Sequence, residues 1–413
     1  MSGRVRIAVI GGGAAGLAAA GAAGEAADGG ADIVLFERNE KPGKKLYITG
    51  KGRCNVTNDC TPAEFLRHVV RNPKFLYRAI NRFTPAEAMA LIEANGTPLK
   101  TERGNRVFPV SDHASDITRA LARYAGRSGT IRLQTRVTDV SRAADGFLLR
   151  AGGEQFAFDK VIVATGGVSY PSTGSDGDGY RIAGRFGHTV VPPRPSLVPL
   201  LLDDDVTPLE GLSLKNVRAR ITADGTSHEA FGEMLFTSAG VSGPIVLTLS
   251  AVFARTDLAG AAFSVDLKPA LDAATLDARI LRDFSAATNR MLKNVLDGLL
   301  PSSLIPCVLR YAAVAPDKPV HSVTAAERGR LVGALKNLAF TVRAADDISR
   351  AVVTAGGVDV REVNPGTMES RLVPGLYFAG EVLDVDALTG GFNIQTALST
   401  GVAAGRHAGG NHA

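Results

Sequence analysis

The hydrophobic positions near the start of the chain predict a strand, a glycine turn, a helix and a second strand. Val5–Ile10 and Asp32–Phe36 are short apolar runs, as expected for buried parallel strands. Between them, the glycine-rich segment Gly11–Gly16 precedes the alanine-rich stretch Leu17–Ala27, whose composition favours a helix. This order indicates a βαβ unit.

Further along, hydrophobic periodicity and helix-start signals predict a mixed α/β chain. Thr61–Val70 and Thr84–Asn95 each open with Thr-Pro, a helix N-cap followed by a proline in the first turn. The other predicted helices are Ser111–Tyr124, Leu271–Leu300, Ala325–Leu338 and Asn393–His407. The other predicted strands are Ile131–Val140, Gly146–Ala151, Lys160–Ala164, Ser196–Asp203, Leu214–Thr222, Met234–Thr237 and Leu376–Ala379.

Glycine is distributed unevenly, and this predicts the domain organisation. Of the 46 glycines in 413 residues, residues 191–345 hold 9 in 155 positions, which leaves 37 in the other 258. We therefore predict a glycine-rich host domain formed by residues 1–190 and 346–413. An inserted domain, residues 191–345, carries a helical piece near residues 271–312.

Charge and cysteine content narrow the class of protein. The net charge of +5 is mild for this length, so nucleic acid, a membrane surface and plain solubility all remain compatible with it. Three cysteines make no disulfide scaffold and show no zinc-site spacing, which favours a reducing, cytoplasmic compartment and no bound metal. No apolar run reaches the ~18 residues of a membrane span, so no membrane partner is expected.

The strongest motif is the segment Gly11-Gly12-Gly13-Ala14-Ala15-Gly16, which satisfies GxGxxG. Gly11 permits the tight turn, Gly13 lets backbone approach a pyrophosphate, and Gly16 permits close packing of helix on strand. Glu37 ends the next strand, 21 residues past Gly16, where an acceptor for a ribose hydroxyl is expected. A dinucleotide site is therefore predicted; the alternative is a glycine turn without a ligand.

Two further segments are typical of backbone that approaches a cofactor. The strand in Val161–Gly167 ends in small residues, and Gly390-Gly391 leads into the last predicted helix. The amino end of a helix favours partial negative charge, which reduced flavin carries along its N1–C2=O edge. Ordinary tight turns are the alternative for both segments.

The combined motifs resemble a bacterial family of FAD flavoproteins, the aminoacetone-oxidase-like and bile-acid-reductase-like NAD(P)/FAD-dependent oxidoreductases. The segments that carry the resemblance include KPGKKLYITGKGRCNVTN, ATGGVSYPSTGSDGDGY, GEMLFTSAGVSGP and GLYFAGEVLDVDALTGGFNIQ. The resemblance runs from Val5 to about Gly405. It implies an α/β fold, with a glutathione-reductase-type FAD-binding Rossmann-like domain and an inserted β-barrel-like domain that carries a helical subdomain.

The resemblance also implies which positions bind FAD. Gly11, Gly13 and Gly16 would contact the pyrophosphate, Glu37 the adenosine ribose, and Val137 the adenine through its backbone. The full set of cofactor-binding residues that we predict is Gly11, Gly13, Ala14, Ala15, Gly16, Glu37, Arg38, Lys45, Gly52, Arg53, Cys54, Asn55, Val137, Thr165, Gly166, Gly380, Glu381, Gly391, Phe392, Asn393 and Ile394.

We therefore expect an FAD-dependent oxidoreductase that exchanges hydride between a small organic substrate and flavin N5. A reductase supplied by transiently bound NAD(P)H is the first hypothesis, and an amine oxidase that uses O2 is the alternative. An RNA-modifying flavoenzyme and a non-enzymatic flavin-binding protein are less favoured, and nucleic acid is not an expected partner. The sequence points to no particular catalytic acid or base. Cys54 lacks a CxxC partner, so a packed, inert thiol is favoured over a redox role.

Overall fold

The computed structural model describes residues 4–410, and the chain divides into two compact units. Unit 1 contains the described residues up to Ser196 and from Ile348 onwards, and unit 2 is Leu197–Asp347. The helices are α1 Ala14–Ala27, α2 Pro62–Arg67, α3 Pro73–Arg82, α4 Pro85–Ala94, α5 Ala114–Gly126, α6 Asp178–Arg185, α7 Pro244–Val252, α8 Ala273–Ser285, α9 Leu292–Val295, α10 Ile305–Ala312, α11 Ala325–Lys336 and α12 Phe392–Gly409.

The described strands of unit 1 have two to seven residues, whereas those of unit 2 range from three to twelve. They are β1 Val5–Ile10, β2 Ala31–Phe36, β3 Thr57–Asn58, β4 Leu99–Glu102, β5 Arg106–Pro109, β6 Gly129–Arg132, β7 Val137–Ala143, β8 Gly146–Ala151, β9 Glu154–Phe158, β10 Lys160–Val163, β11 Val190–Ser196, β12 Leu200–Leu202, β13 Ser213–Ala223, β14 Thr226–Thr237, β15 Gly240–Ser242, β16 Ala262–Asp266, β17 Leu338–Ala345, β18 Val353–Val358 and β19 Leu376–Phe378.

Unit 1 is built on a five-stranded parallel sheet in the order β19-β10-β1-β2-β6. Its strands are apolar runs because a parallel sheet is covered on both faces. Ile7, Val9, Leu35 and Val163 are fully buried or nearly so. The carboxyl ends of β1, β2, β10 and β19 lie at one edge of this sheet, which is where ligands bind in open α/β folds.

Helices α1 and α12 pack against each other through small residues. A Cβ added to Gly401, Gly405 or Gly409 of α12 would lie 2.3, 2.2 and 2.1 Å from the carbonyl oxygens of Ala15, Ala19 and Ala23, respectively. The four-residue spacing on both helices aligns these residues along one face of each. The glycines of α12 therefore permit a backbone approach that no larger residue allows.

Unit 2 contains a closed six-stranded barrel, in the order β12-β15-β14-β13-β16-β17. Alternate residues of β13, among them Val217, Ala219 and Ile221, face its core, which also contains Phe236 and Phe263. Helices α8 to α11 belong to the same unit. The parallel sheet and the barrel confirm the predicted fold class.

Several elements differ in extent from the sequence prediction. The strand expected over residues 196–203 is reduced to β12, Leu200–Leu202, while Ser196 ends β11. The single strand expected over residues 131–140 is two strands in different sheets, β6 and β7. Between them Gln134 has a φ of 51°, and the backbone N–H groups of Gln134 and Thr135 donate to the carbonyls of Asn39 and Glu37. The helix expected over residues 271–300 is interrupted between α8 and α9. Strand β11 pairs with β18 in unit 1, whereas the predicted inserted domain began at residue 191.

Candidate cofactor site of unit 1

The glycine turn between β1 and α1 is fixed by close backbone contacts. Gly11 has a φ of 103°, and a Cβ on it would lie 2.5 Å from the carbonyl oxygen of Ala164. A Cβ on Gly16 would lie 1.8 Å from the carbonyl oxygen of Gly11. Gly13, by contrast, caps α1 and has no atom within 4 Å of an added Cβ. Gly11 and Gly16 are therefore needed for the turn, while Gly13 keeps space open beside the helix terminus.

That space adjoins the positive end of α1. The first N–H groups of a helix lack intrahelical acceptors, and its dipole favours a negative group there. Ala14 and Ala15 form the first turn, and their small buried side chains leave its backbone accessible to a ligand. The arrangement suits a phosphate or pyrophosphate.

Glu37 connects the glycine turn to the loop after β2. Its carboxylate is buried; Oε2 accepts a hydrogen bond of 2.8 Å from the Gly12 N–H. Oε1 accepts bonds of 2.8 Å and 2.7 Å from the backbone and side-chain nitrogens of Asn39. A carboxylate offers about four acceptor positions, so one remains for a ligand hydroxyl.

Arg38 belongs to a network of charged side chains, in which it pairs with two carboxylates of the protein. Its Nη1 donates to Asp176 Oδ2 at 2.5 Å and lies 3.9 Å from Asp178. Arg136 donates to the same two carboxylates, at 2.8 to 3.0 Å. The guanidinium of Arg38 thus holds the segment before α6 beside the loop after β2.

Lys45 and Glu381 form an ion pair near the carboxyl edge of the parallel sheet. Lys45 Nζ lies 2.8 and 3.0 Å from the two Glu381 oxygens and donates to Ser169 Oγ at 2.7 Å. Glu381 Oε1 also accepts a bond of 2.8 Å from the Thr354 N–H. Both charged side chains are about one-fifth exposed. The pair joins segments that are 336 residues apart in the sequence.

The segment Gly52–Asn55 places a charged side chain on the surface and a thiol in the interior. Arg53 donates to Asp112 Oδ1 at 2.8 Å, pairs with Glu102, and lies over the Phe108 ring at 4.2 Å. The hydrogen bond from Arg53 lowers the pKa of Glu102, and bonds from Lys100 and Arg53 lower the pKa of Asp112. Arg53 is therefore engaged by protein carboxylates.

Cys54 is fully buried, with a left-handed φ of 59°. Burial raises the pKa of its thiol to about 12, so the thiol stays protonated at neutral pH. A protonated, inaccessible thiol is a poor nucleophile. These observations favour the packed, inert role over the redox role.

Two buried oxygens in the predicted set lack a hydrogen-bond partner among residues 4–410. They are Asn55 Oδ1 and Thr165 Oγ1. Thr165 follows β10 closely, and the next residue, Gly166, has a φ of 76°. Buried polar atoms are usually satisfied, so the Asn55 oxygen is suited to a donor on a ligand and the Thr165 hydroxyl to a donor or an acceptor. Val137, at the start of β7, is buried and in extended backbone.

The amino end of α12 forms a second helix terminus in unit 1. Gly391 has a φ of 96°, and a Cβ on it would lie 2.4 Å from the Thr57 carbonyl oxygen. Phe392 is buried and stacks on the ring of His68, with centroids 4.3 Å apart. The side chain of Asn393 does not extend freely: it accepts from the Ala387 N–H at 2.9 Å and donates to the Ala387 carbonyl at 2.7 Å. Ile394 is partly buried.

Gly380 lies just after β19 and contacts this helix. It has a φ of 78°, and its N–H donates to Thr400 Oγ1 at 2.9 Å. A Cβ on Gly380 would lie 2.7 Å from the Ala15 Cβ at the start of α1. The predicted residues at the two ends of the sequence, Gly11–Gly16 and Gly380, are therefore adjacent in space.

Four residues that contact the predicted cofactor-binding residues or their neighbours were not predicted from the sequence: Asn39, Ser169, Thr354 and His68. Their contacts are with segments distant in sequence, apart from the bond between Asn39 and Glu37. Only that local bond has a sequence signal, an asparagine two residues after the acidic strand end.

The observed residues fit FAD. A helix terminus for the pyrophosphate, a buried acidic acceptor at Glu37 and two unsatisfied oxygens meet the needs of a dinucleotide with many hydroxyls. Sheet, turn and acidic residue together define the class: a Rossmann-type dinucleotide-binding protein. The chain belongs to the HI0933-like protein Rossmann domain family, whose model matches residues 5–407.

Two sequence relatives support this class, and one solved structure shows a similar fold. The chain is 34% identical over 408 residues to the 3-dehydro-bile acid delta(4,6)-reductase of Clostridium scindens, with 98% of both chains covered. It is 33% identical over 399 residues to the ribosomal RNA dihydrouridine synthase of Escherichia coli K12, with 95% of both chains covered. The 3-ketosteroid delta1-dehydrogenase of Sterolibacterium denitrificans has a similar fold, with a TM-score of 0.51, 14% identity and coverage of 98% and 99%.

The protein is an FAD-dependent oxidoreductase. This confirms the sequence-based expectations of enzyme class and main cofactor. Among residues 4–410, no helix is both long and apolar enough to cross a membrane.

Proposed function

We propose that this enzyme is a reductase that saturates a carbon–carbon double bond conjugated to a carbonyl group, with NAD(P)H as a transient electron donor. The observation that carries the proposal is the similarity, over 98% of both chains, to a 3-dehydro-bile acid delta(4,6)-reductase. That name describes a ketone at position 3 beside double bonds at positions 4 and 6. A conjugated carbonyl withdraws electrons and makes the double bond an acceptor for hydride.

The residues proposed to hold FAD are those described above. Gly11, Gly13, Ala14, Ala15 and Gly16 would bind the pyrophosphate, because the open space at Gly13 lies at a helix N-terminus. Glu37 would accept from the adenosine ribose with its remaining lone pair. The other proposed contacts are Arg38, Lys45, Gly52, Arg53, Cys54, Asn55, Val137, Thr165, Gly166, Gly380, Glu381, Gly391, Phe392, Asn393 and Ile394.

When bound, FAD would supply the redox chemistry, which is hydride transfer between a nicotinamide and a substrate. The residues of this chain supply position and electrostatics. The α12 terminus, preceded by two glycines of positive φ, favours partial negative charge near Gly391. The Lys45–Glu381 pair is internally neutral, so it orients polar groups without adding net charge to the site.

The test is anaerobic reduction of the purified yellow holoenzyme, followed by its visible absorbance. We expect NADH or NADPH to bleach the flavin and a conjugated enone to restore its colour. A 3-oxo steroid with a double bond at position 4 is a suitable acceptor, and its saturated analogue is the control. Bleaching by small amines but by neither nicotinamide would replace this proposal with the amine oxidase. A flavin inert to every donor would indicate a non-enzymatic flavin-binding protein.

A uracil base in RNA is the second candidate substrate. Two relatives favour it: the E. coli protein and a ribosomal RNA dihydrouridine synthase of Haemophilus influenzae, 33% identical over 405 residues with 96% of both chains covered. Dihydrouridine is uridine whose C5–C6 double bond, conjugated to a carbonyl, has gained two hydrogens. The bond chemistry is therefore the same, and only the molecule that presents the bond differs.

Substrate size separates the two candidates. Holoenzyme with NADPH would be incubated with the steroid enone, with free uridine and with unmodified ribosomal RNA. Gain of two hydrogens would then be measured by mass spectrometry. Product from the enone alone supports the small-molecule reductase, and product from RNA alone supports the second candidate.

A further inference from the structure

A stripe of basic side chains covers the exposed face of α3 in unit 1. Between Glu64 and Glu87 the chain has no acidic residue and five basic ones, which are Arg67, Arg71, Lys74, Arg78 and Arg82. Lys74, Arg78 and Arg82 are four residues apart, all are exposed, and they form one line along α3. Like charges at this spacing destabilise a helix, so local stability does not account for the line.

Most of this charge is not neutralised by the protein. Arg67 pairs with Glu64, and Arg71 lies 3.3 Å from Asp384. Lys74, Arg78 and Arg82 form no ion pair with the residues that the structure describes, and neither does Arg406 of α12. Arg406 joins the stripe because its Nη1 donates to the Arg82 carbonyl at 3.0 Å.

An aromatic side chain interrupts the stripe. Tyr77 is 60% exposed and lies between Lys74 and Arg78, while Asn81 occupies the next turn. The opposite face of α3, with Phe75, Leu76, Ala79 and Ile80, is buried and anchors the helix. The exposed tyrosine is therefore not needed for packing of α3.

A cavity adjoins the basic stripe. It measures about 190 Å³ and lies between α3, α12 and the loop at Gly366. Arg82 Nη1 donates to the Gly366 carbonyl at 3.3 Å, so the stripe and the cavity share a wall. Its polar and aromatic lining comprises Arg82, Phe83, Thr367, Ser399, Arg406 and His407. The volume is below that of a typical drug-sized pocket and would suit one small planar group.

We propose that the α3 stripe and its cavity bind single-stranded or looped RNA. Lys74, Arg78, Arg82 and Arg406 contact phosphates, Tyr77 stacks on a base, and the cavity receives one neighbouring base. Phosphate contacts and aromatic stacking are the two interactions that single-stranded nucleic acid uses. The proposal rests on the second candidate function for its choice of RNA, and it contradicts the sequence-based expectation that nucleic acid is not a partner.

The face is less suited to a lipid surface. A helix that lies in a bilayer interface presents a wide apolar face beside its basic residues. The exposed positions of α3 are Lys74, Tyr77, Arg78, Asn81 and Arg82, none of which is aliphatic. Charge complementarity thus points to a polyanion in water.

The test compares two charge-matched variants of the full-length holoenzyme. The stripe variant is Lys74→Gln/Arg78→Gln. The control is Lys215→Gln/Arg282→Gln, which removes one lysine and one arginine from exposed positions of unit 2. Binding is followed by fluorescence anisotropy of a labelled uridine-containing RNA hairpin over a range of salt concentrations. Flavin absorbance per polypeptide confirms that each variant is folded and loaded.

We expect the stripe variant to bind RNA at least tenfold more weakly than the wild type, and the control to bind within twofold of it. The slope of log affinity against log salt should fall in magnitude by about 1.4, since each lost phosphate contact on a single strand removes ~0.7. Tyr77→Ala should weaken binding by roughly tenfold without changing the slope, whereas Tyr77→Phe should bind as the wild type.

Equal losses in the stripe variant and the control would overturn the proposal, and so would a wild type that binds no RNA at low salt. Binding to vesicles of anionic phosphatidylserine that depends on Lys74 and Arg78, without RNA binding, would assign the surface to membranes instead. These outcomes are independent of catalysis: failure of NAD(P)H to bleach the flavin would remove the proposed reductase but leave the RNA-binding result intact.

Discussion

The two units use glycine for different purposes. In unit 1 the glycines of α1 and α12 face backbone or side chains at distances below 3.0 Å from an added Cβ, as at Gly16, Gly21 and Gly405. In unit 2, six of the nine glycines have no atom within 4 Å of an added Cβ. Glycine in unit 1 therefore permits close approach. In unit 2 it mostly supplies turns or occupies exposed positions.

The difference follows from which atoms meet in the interior of each unit. The core of unit 2 contains large side chains, among them Phe236, Phe263 and Leu249. At the α1–α12 interface of unit 1, the backbone of one helix packs against the backbone of the other. The glycine turn of the cofactor site lies in the same region. A high glycine fraction in this protein consequently marks close helix contacts and a cofactor site rather than a loose structure.

The largest effect is expected where a side chain is forced into the α1–α12 interface. Gly405→Val places carbon atoms against the Ala19 carbonyl, which lies 2.2 Å from an added Cβ, and the helices must separate. Overpacking of this kind costs ~3 kcal/mol or more. We expect the variant to be insoluble, or its unfolding midpoint to fall sharply in a thermal scan.

Gly333→Ala, in α11 of unit 2, is the control for substitution of a helix glycine whose surroundings are open. Its added Cβ meets nothing within 4 Å, so the better helix propensity of alanine should stabilise the helix by up to ~1 kcal/mol. If Gly405→Val melted like Gly333→Ala, the distinction between the units would be wrong.

The next effect concerns cofactor binding rather than folding. Gly13→Val fits the polypeptide, because no atom lies within 4 Å of an added Cβ, but it fills the space beside the α1 terminus. We expect a protein that folds and is purified without colour, with FAD affinity reduced at least a hundredfold, or about 2.7 kcal/mol. Flavin titration by fluorescence quenching measures the affinity, and circular dichroism measures the fold. A yellow Gly13→Val protein would show that the pyrophosphate lies elsewhere.

The smallest effect is expected for the thiols, where Cys54 of unit 1 is compared with Cys307 of unit 2. Burial raises the pKa of Cys54 from 9.0 to about 12. The folded thiol therefore stays neutral while the unfolded one ionises. Its contribution to stability is complete below about pH 9 and is lost as the pH rises towards 12, at ~1.4 kcal/mol per unit.

Cys54→Ala should accordingly flatten the decline of wild-type stability between pH 9 and pH 10.5, measured by urea unfolding. In native protein at pH 8, iodoacetamide should modify the half-buried Cys307 of unit 2 before it modifies Cys54. Rapid labelling of Cys54, or loss of flavin reduction by NADPH in Cys54→Ala, would instead favour the redox role.

The elements with strong local signals were predictable. The apolar run Val5–Ile10 and the Thr-Pro helix starts needed only their own residues, and each corresponds to an observed element. The strand expected over residues 131–140 was wrong because its break depends on hydrogen bonds to Asn39 and Glu37, about a hundred residues earlier in the chain. Hydrophobic periodicity carries no information about hydrogen-bond partners so distant in the sequence.

The candidate site divides in the same way. The turn Gly11–Gly16 and the acidic Glu37 could be identified from spacing alone, and whether all the predicted residues contact FAD stays a prediction. The contacts of Lys45 with Glu381 and Ser169, and the use of Asn393 to hold the Ala387 backbone, could not be read from the sequence. In each case the partner is chosen by the folded chain.

By itself, the sequence determined the βαβ start, the dinucleotide fingerprint, the excess of glycine outside the middle region and the flavoprotein family. These depend on short-range rules: period, helix capping and positions where only glycine permits the backbone conformation. Only the tertiary structure decided that Gly405 faces Ala19, that Cys54 is sealed from solvent, and that Arg406 extends the basic line of α3. Those facts depend on which distant segments come into contact, because packing and burial are properties of the assembled fold and not of any stretch of residues.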